Sequence, residues 1–351
     1  MKKLMLLPVL VLCWMSMPAY AVKVPGLYEA EVPVPDQLAE HREPAIQSAM
    51  RVVLIKVTGD RFAPERTSLQ PVVEKADSYI QQYRYLEVPA GAATGGDQQQ
   101  ELHLHVSFDE PTLNSTLRGL GIPVWGKERP STLVWLAVQD KDGRRLVGME
   151  DKPDYIRELD RRASMRGVVL IYPLMDLEDT GNLKVSDIWG GFSQPVLEAS
   201  RRYPADTVLV GKITSSAPGI WEAQWTLYVG SDTVSWSADG EMPDAVLDEG
   251  VDGLADQLAS RFVQSTGTTG TEQVSLMVRD VNSAKQYARV LKYLQSLSPV
   301  TDVQVDKVEP GTVQFSVTAH GGEAALKQTI TLGRVMEAIS GGGPDVYRLL
   351  P

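Results

Sequence analysis

The sequence predicts a multidomain α+β protein: a small strand-helix-helix-strand-strand module, a middle α/β domain with a mixed sheet, and a C-terminal ferredoxin-like module. Three observations predict it. The chain has 351 residues, too many for one ordinary core. Helical and strand-like periodicities alternate from about residue 26 onward. A threonine- and glycine-rich stretch at 265–272 has no apolar side chain and reads as a flexible join.

The first module is placed at 22–125. GLYEAEVPV at 26–34 alternates Leu27, Ala30, Val32 and Val34 with polar or small residues, which suits a strand. Asp36 can cap the helix that follows, in which Leu38, Ala45, Ile46, Ala49, Val52, Val53 and Ile55 fall mostly at helical spacing and Thr58-Gly59-Asp60 supplies the stop. Pro44 marks a kink or a late start. A second helical pattern covers 68–80. Strands YRYLEV at 83–88 and LHLHVSF at 102–108 flank a Gly/Ala/Gln-rich tip at 90–100, and a short helix follows near 110–119.

The middle domain is placed at 126–264. STLVWLAV at 131–138 is a continuous apolar run, as expected of a strand covered on both faces. QDKDGRRL reads as a hairpin or exposed loop. Helix 153–166 leads into strand VVLIYPL at 168–174, and helix 186–202 leads into strand 206–213, a rhythm that predicts a parallel or mixed sheet. Strands 221–229 and 232–239 form an antiparallel meander, and helix 243–264 closes the domain. After the join, residues 273–351 give strand 274–280, helix 282–297, strands 301–308 and 312–318 around Glu309-Pro310-Gly311, helix 322–332 and VYRLL at 346–350. That is the ferredoxin-like order.

The first 21 residues read as a secretory signal peptide: Lys2 and Lys3, an apolar run from Leu4 to Met17, and Ala19-Tyr20-Ala21 as the cleavage site. The mature chain is expected to begin at Val22 in the periplasm, without an integral membrane span, since the run is shorter than the roughly 20 apolar residues needed to cross a bilayer. The single cysteine, Cys13, leaves with the leader. This excludes disulfides, thiolate metal sites and a cysteine nucleophile in the mature chain. Leu12 and Trp14 around Cys13 do not fit a lipid-attachment site. The formal charge of −11 becomes more negative once Lys2 and Lys3 are removed, which argues against nucleic acid as a partner.

LYEAEVPVPDQ at 27–37, VVLIKVTGDR at 52–61, and the run from WGGF at 189 through ASRRYPADTVLVGKI to WTLYV at 229 resemble the domain of unknown function 2066 (DUF2066) family of proteobacterial secreted proteins. The resemblance covers about residues 24–265. It implies an envelope protein of unknown role and transfers no catalytic residues.

Candidate sites are few. His103 and His105 share one face of a strand and could chelate a metal, but the alternation with Leu102, Leu104 and Val106 makes them the solvent side of an amphipathic strand. Asp176, Glu178, Thr180, Gly181 and Asp187 fall at positions 1, 3, 5, 6 and 12 of a calcium-loop frame. The frame lacks an entering helix, and a polar surface turn is the simpler reading. No GxSxG or phosphate-binding glycine motif occurs. Trp189, Gly190, Gly191 and Phe192 are the candidate binding residues, at an expected strand-to-helix junction where two glycines permit close approach and two aromatics offer anchors. The alternative is that both aromatics cap the core. The expected function is therefore non-enzymatic: a periplasmic accessory or scaffold in contact with other envelope proteins, with no cofactor. The alternatives are a periplasmic small-ligand-binding protein seated over Trp189 and, third, a carboxylate-dependent hydrolase.

Overall fold

The computed structural model describes residues 24–89, 100–141, 143–148, 153–263, 270–333, 335–339 and 345–350. The leader with Cys13 and the cleavage site, the tip at 90–99, residues 264–269 of the expected join and Gly341-Gly342-Gly343 lie outside them. The protein is a multidomain α+β protein with three mixed or antiparallel sheets. Among the described residues no helix is long and apolar enough to cross a membrane.

In the first module, β1 (Glu29–Pro33), α1 (Ala39–Thr58), α2 (Gln70–Glu74), β2 (Ile80–Pro89), β3 (Gln100–Phe108) and α3 (Glu110–Gly119) follow one another. The sheet order is β1-β3-β2, antiparallel throughout. Its core joins Met50, Val53 and Leu54 of α1 to Leu104, Val106 and Phe108 of β3. Asp36 does not occupy the N-cap, which falls on Leu38; its carboxylate instead accepts from the Leu38 N–H at 2.8 Å and meets His41. Pro44 lies inside α1, early enough that only one helical hydrogen bond is forfeited. The helical pattern at 68–80 is only partly realised: Leu69, Val72, Val73 and Ala76 are buried, but α2 spans five residues and 3₁₀ turns flank it. Apolar spacing alone does not separate α from 3₁₀ over so short a run.

The middle domain contains β4 (Ser131–Asp140), β5 (Gly143–Val147), α4 (Pro153–Arg166), β6 (Val169–Ile171), α5 (Leu177–Asn182), α6 (Val185–Trp189), α7 (Ser193–Ser200), β7 (Thr207–Ala217), β8 (Ile220–Val229), β9 (Asp232–Gly240) and α8 (Pro243–Phe262). The sheet runs β5-β4-β7-β8-β9, and β6 pairs in parallel with the start of β4. Strand β4 is buried on both faces. Val134, Leu136 and Val138 face α4 and α8, while Leu133, Trp135 and Ala137 face α5–α7. Two sequence expectations fail here. The strand expected at 168–174 stops at Ile171, and by Met175 the backbone has turned to φ 55°. The helix expected at 186–202 is two helices, because Gly191 takes φ 71° at the end of α6 and the chain re-enters at Ser193.

The terminal module is β10 (Thr271–Val281), α9 (Ala284–Ser296), β11 (Val300–Glu309), β12 (Gly311–His320), α10 (Gly322–Gly333), β13 (Met336–Ala338) and β14 (Val346–Leu349). The expected join at 265–272 is shorter at its far end, since Thr271 and Glu272 already pair with β12. The order β11-β12-β10-β14-β13 differs from a plain ferredoxin-like sheet. A hairpin replaces the fourth strand: β13 takes the edge, and β14 returns to lie parallel to β10.

The modules meet around buried cations. Lys56, 6% exposed, donates to the carbonyls of Gly26 (3.2 Å) and Glu29 (2.9 Å). Burial, reinforced by Arg129, pushes its pKa down to about 8. The unfolded chain therefore holds more protons than the folded one between pH 8 and the ordinary lysine range, and this group's contribution to stability rises with pH across that window. Unfolding of the protein and of Lys56→Met, measured from pH 7.5 to 10, should show stability of the parent rising relative to the variant; a constant difference would contradict the assignment.

Candidate functional site

The segment between β6 and β7 forms a helical cover over one face of the middle sheet. Trp189 sits on this cover and not at a strand-to-helix junction. Its ring packs against the core that holds Trp135, Ile188 and Val196, and the Arg144 guanidinium lies 4.8 Å from the ring centroid. Arg144 stands opposite Gln139, near the carboxyl end of β4, and fills the place a ligand would take over the indole. Gly190 is exposed, and a Cβ there would lie 2.6 Å from the Phe192 ring. Trp189 is thus partly buried against this core, whereas Gly190 and Phe192 are exposed, Phe192 at 59%.

The calcium-loop residues are engaged elsewhere. Asp176 is the N-cap of α5, accepting from the Glu178 and Asp179 N–H groups, and its carboxylate makes a bidentate pair with Arg202 at 2.8 and 2.9 Å. Arg202 holds the Asp176 carboxyl well below the usual carboxylate range. Thr180 Oγ1 donates to the Asp176 carbonyl, Glu178 lies 3.6 Å from Arg202, and Asp187 accepts from the Lys184 N–H. The intervening residues 177–182 are helical, so these oxygens do not wrap a common centre. Asp179, fully buried, completes the lock by accepting from Arg202, Tyr203 and the Met175 N–H. The start of α5 is thereby tied to the end of α7.

His103 and His105 share one face, as the alternation predicts, but each meets its own glutamate. His103 Nδ1 is 2.9 Å from Glu31, and His105 Nε2 is 3.5 Å from Glu29. Among the described residues no three His, Cys, Asp or Glu side chains are arranged to hold a metal. One carboxylate pair could suggest acid-base chemistry. Asp248 on α8 and Glu158 on α4 flank one guanidinium, and burial raises the Asp248 pKa while Arg161 lowers that of Glu158. Arg161 binds both, however, so the pair pins two helices together.

Among the mostly polar residues that the cover leaves exposed are four large apolar side chains. Leu174 is 64% exposed, Leu177 is 93% exposed, and Phe192 and Leu197 add to them. The sequence analysis missed Leu174, Leu177 and Leu197. An apolar residue directly after the capping Asp176 was the available signal, but periodicity assigns such a residue to a core.

A second concave site lies where the three modules meet. Its volume is about 450 Å³, and it is lined from the first module by Asn114 and Arg118, from the connecting segment by Trp125 and Glu128, and from the terminal module by Ser298 and His320. Gly126 makes this joint possible, since a Cβ on it would lie 2.6 Å from the Ser298 side chain. Ser298 Oγ accepts from the Lys127 N–H at 3.0 Å and donates to Glu128 Oε2 at 2.9 Å. None of these residues carries a local motif, and Glu128 and Ser298 are 170 positions apart.

No curated protein matches the chain. A family model described as a domain of unknown function (DUF8605) matches residues 21–126, and this is not the DUF2066 family that the sequence blocks resemble. The first part of the chain, at residues 21–126, is thus similar to a domain of unknown function.

Proposed function

We propose that this protein is a periplasmic accessory or scaffold of the cell envelope that works through contacts with other envelope proteins and not by catalysis. The observation that carries the reading is the set of exposed apolar side chains on the cover of the middle sheet: Leu174, Leu177, Phe192 and Leu197. Contiguous exposed apolar surface is where soluble proteins commonly meet partners. The cover is held rigid beneath them by Asp179, Arg202 and Tyr203, which reduces the ordering cost of association. The leader-like residues 1–21 support the compartment. The resemblance of the blocks at 27–61 and 189–229 to the DUF2066 family supports an envelope role. The alternative of a ligand seated over Trp189 loses support from Arg144, which occupies that face.

Photocrosslinking in living cells tests the reading. A photoreactive residue at Leu177 or Phe192 should yield a discrete crosslinked protein, and one at the exposed Lys285 on α9 should not. Leu177→Glu combined with Phe192→Ser should reduce the yield of that partner by about tenfold or more with the unfolding midpoint unchanged, because both side chains are exposed. Absence of a discrete product, or equal capture from Lys285, would overturn the proposal.

A further inference from the structure

Each of the three sheets ends in edge strands, whose outward backbone groups are open to pairing with another chain. Most of these edges are blocked by the protein itself. β11 carries two bulges, at Val300/Asp302 and Val305/Lys307, and Lys307 on it is exposed. β2 carries a bulge at Ile80/Gln82 and ends in Pro89. β1 ends in Pro33, β5 is five residues long and bears Arg144 and Arg145, and β6 and β13 have three residues each. Bulges, proline, charge and shortness are the ordinary means by which an edge is kept from pairing.

β9 is the exception. Its nine residues, Asp232–Gly240, run in unbroken antiparallel register with β8, from Val229 opposite Asp232 to Trp221 opposite Gly240. It has no proline, and its charges, Asp232 and Asp239, stand near its ends, so Thr233–Ala238 are uncharged. Asp232 is answered by Arg261 at 2.7 Å. Among the described residues β9 pairs with β8 alone, and none of its own residues is buried. Alternate residues of a strand turn their N–H and C=O groups away from the neighbour. One side of β9 is therefore an open row of donors and acceptors.

The strand's own sequence fits that row. Val234-Ser235-Trp236-Ser237-Ala238 reads nearly the same in both directions about Trp236. Antiparallel pairing of β9 with its copy, centred on Trp236, uses the whole strand: Ser235 meets Ser237, Val234 meets Ala238, Thr233 meets Asp239 and Asp232 meets Gly240, and no like charges oppose one another. Directly opposed residues of an antiparallel pair share a face. Val234, Trp236 and Ala238, partly buried on the side of α8, would continue that face across the axis, while the exposed Ser235 and Ser237 meet on the other. We propose that β9 is a dimerisation edge, on which a second copy of the chain pairs antiparallel about a two-fold axis beside Trp236 and joins two middle sheets into one. The contact is isologous and closes with two chains. It leaves the contact surface proposed above free, because the cover packs on β4 and β7 from the opposite face of the sheet.

Sedimentation velocity of residues 22–351 tests the pairing. A dimer is expected to form as the concentration rises to about 100 µM, the weak end for specific interfaces. Ser235→Lys combined with Ser237→Lys sets ammonium opposite ammonium on both sides of the axis and should weaken the dimer by about tenfold or more. Ser235→Lys combined with Ser237→Glu sets opposite charges at the same places and should restore it. Both serines are exposed, and recovery by the second pair separates a lost contact from a misfolded strand. A chain that stays monomeric at about 100 µM, a dimer indifferent to the two lysines, or a dimer that the lysine and glutamate together do not restore would overturn the proposal.

Discussion

Replacing Arg129 with methionine is expected to remove about 3–5 kcal/mol of folding stability. Arg129 is 2% exposed and faces no carboxylate in its hydrogen bonds. Its guanidinium instead donates to five backbone carbonyls: Gly126 (3.0 Å), Trp125 (3.1 Å), Lys56 (2.6 Å), Gly167 (2.6 Å) and Arg166 (3.4 Å). Lys56 lies in the last turn of α1 and Arg166 at the end of α4. The cation therefore sits between two helix C-termini, where the macrodipoles favour positive charge and the last carbonyls lack partners within the helix. The Trp125 ring stacks 3.9 Å beneath it. Desolvation, the largest influence, pulls its pKa well below the ordinary arginine range.

A hydrophobic replacement of similar length can be neutral where both members of an ion pair are removed together. Here the acceptors are backbone and remain after the substitution, so methionine leaves buried carbonyls without donors. Arg129→Lys should recover only part of the loss, because an ammonium has three donors on one centre and cannot reach the span of the planar fork. Chemical denaturation followed by tryptophan fluorescence reads the effect. A loss below about 1 kcal/mol would mean that water serves these carbonyls in the variant.

Gly250→Ala should lower the stability of the middle domain by about 2–3 kcal/mol, although alanine gains about 1 kcal/mol over glycine in a helix interior. The reason is Trp225. A Cβ at Gly250 would lie 2.2 Å from Cε2 of that indole, which is fully buried and donates to the Val246 carbonyl at 3.1 Å. On its other side the ring meets Gly211 of β7, where a Cβ would lie 2.4 Å away, so it cannot retreat. Trp236, the cross-strand partner of Trp225, fits against Gly253 in the same way. Two glycines one turn apart on α8 thus receive two tryptophans from β8 and β9. Pairing Gly250→Ala with Trp225→Leu should cost less than the sum of the single changes. Strict additivity in thermal unfolding would show that the crowding is relieved elsewhere.

Some of this was legible in the chain. Helix 153–166 and the alternation of His103 and His105 with Leu104 and Val106 follow from periods of 3.6 and 2, which bind only neighbours in sequence. The continuous apolar run at 131–138 announced a strand covered on both faces. The break between α6 and α7 was less visible, because Ile188, Val196 and Ala199 keep a helical spacing across it while Gly191 reverses the backbone. The hairpin in place of a fourth terminal strand was not visible, since β13 has three residues and makes no pattern.

Alone, the sequence determined the α+β class, the order of the longer elements, the acidic balance and the lack of cysteine beyond the leader-like region. Each of these depends on composition or on short-range periodicity. Only the tertiary structure decided that Trp189 is covered by Arg144, that Asp176 caps a helix, that Leu177 is left bare, and that Arg118, Trp125 and Glu128 share a cavity with His320. The physical reason is that a side chain's role depends on whether its polar atoms find partners after packing. Those partners, such as Ser298 for Glu128 or the Lys56 carbonyl for Arg129, come from segments far apart along the chain.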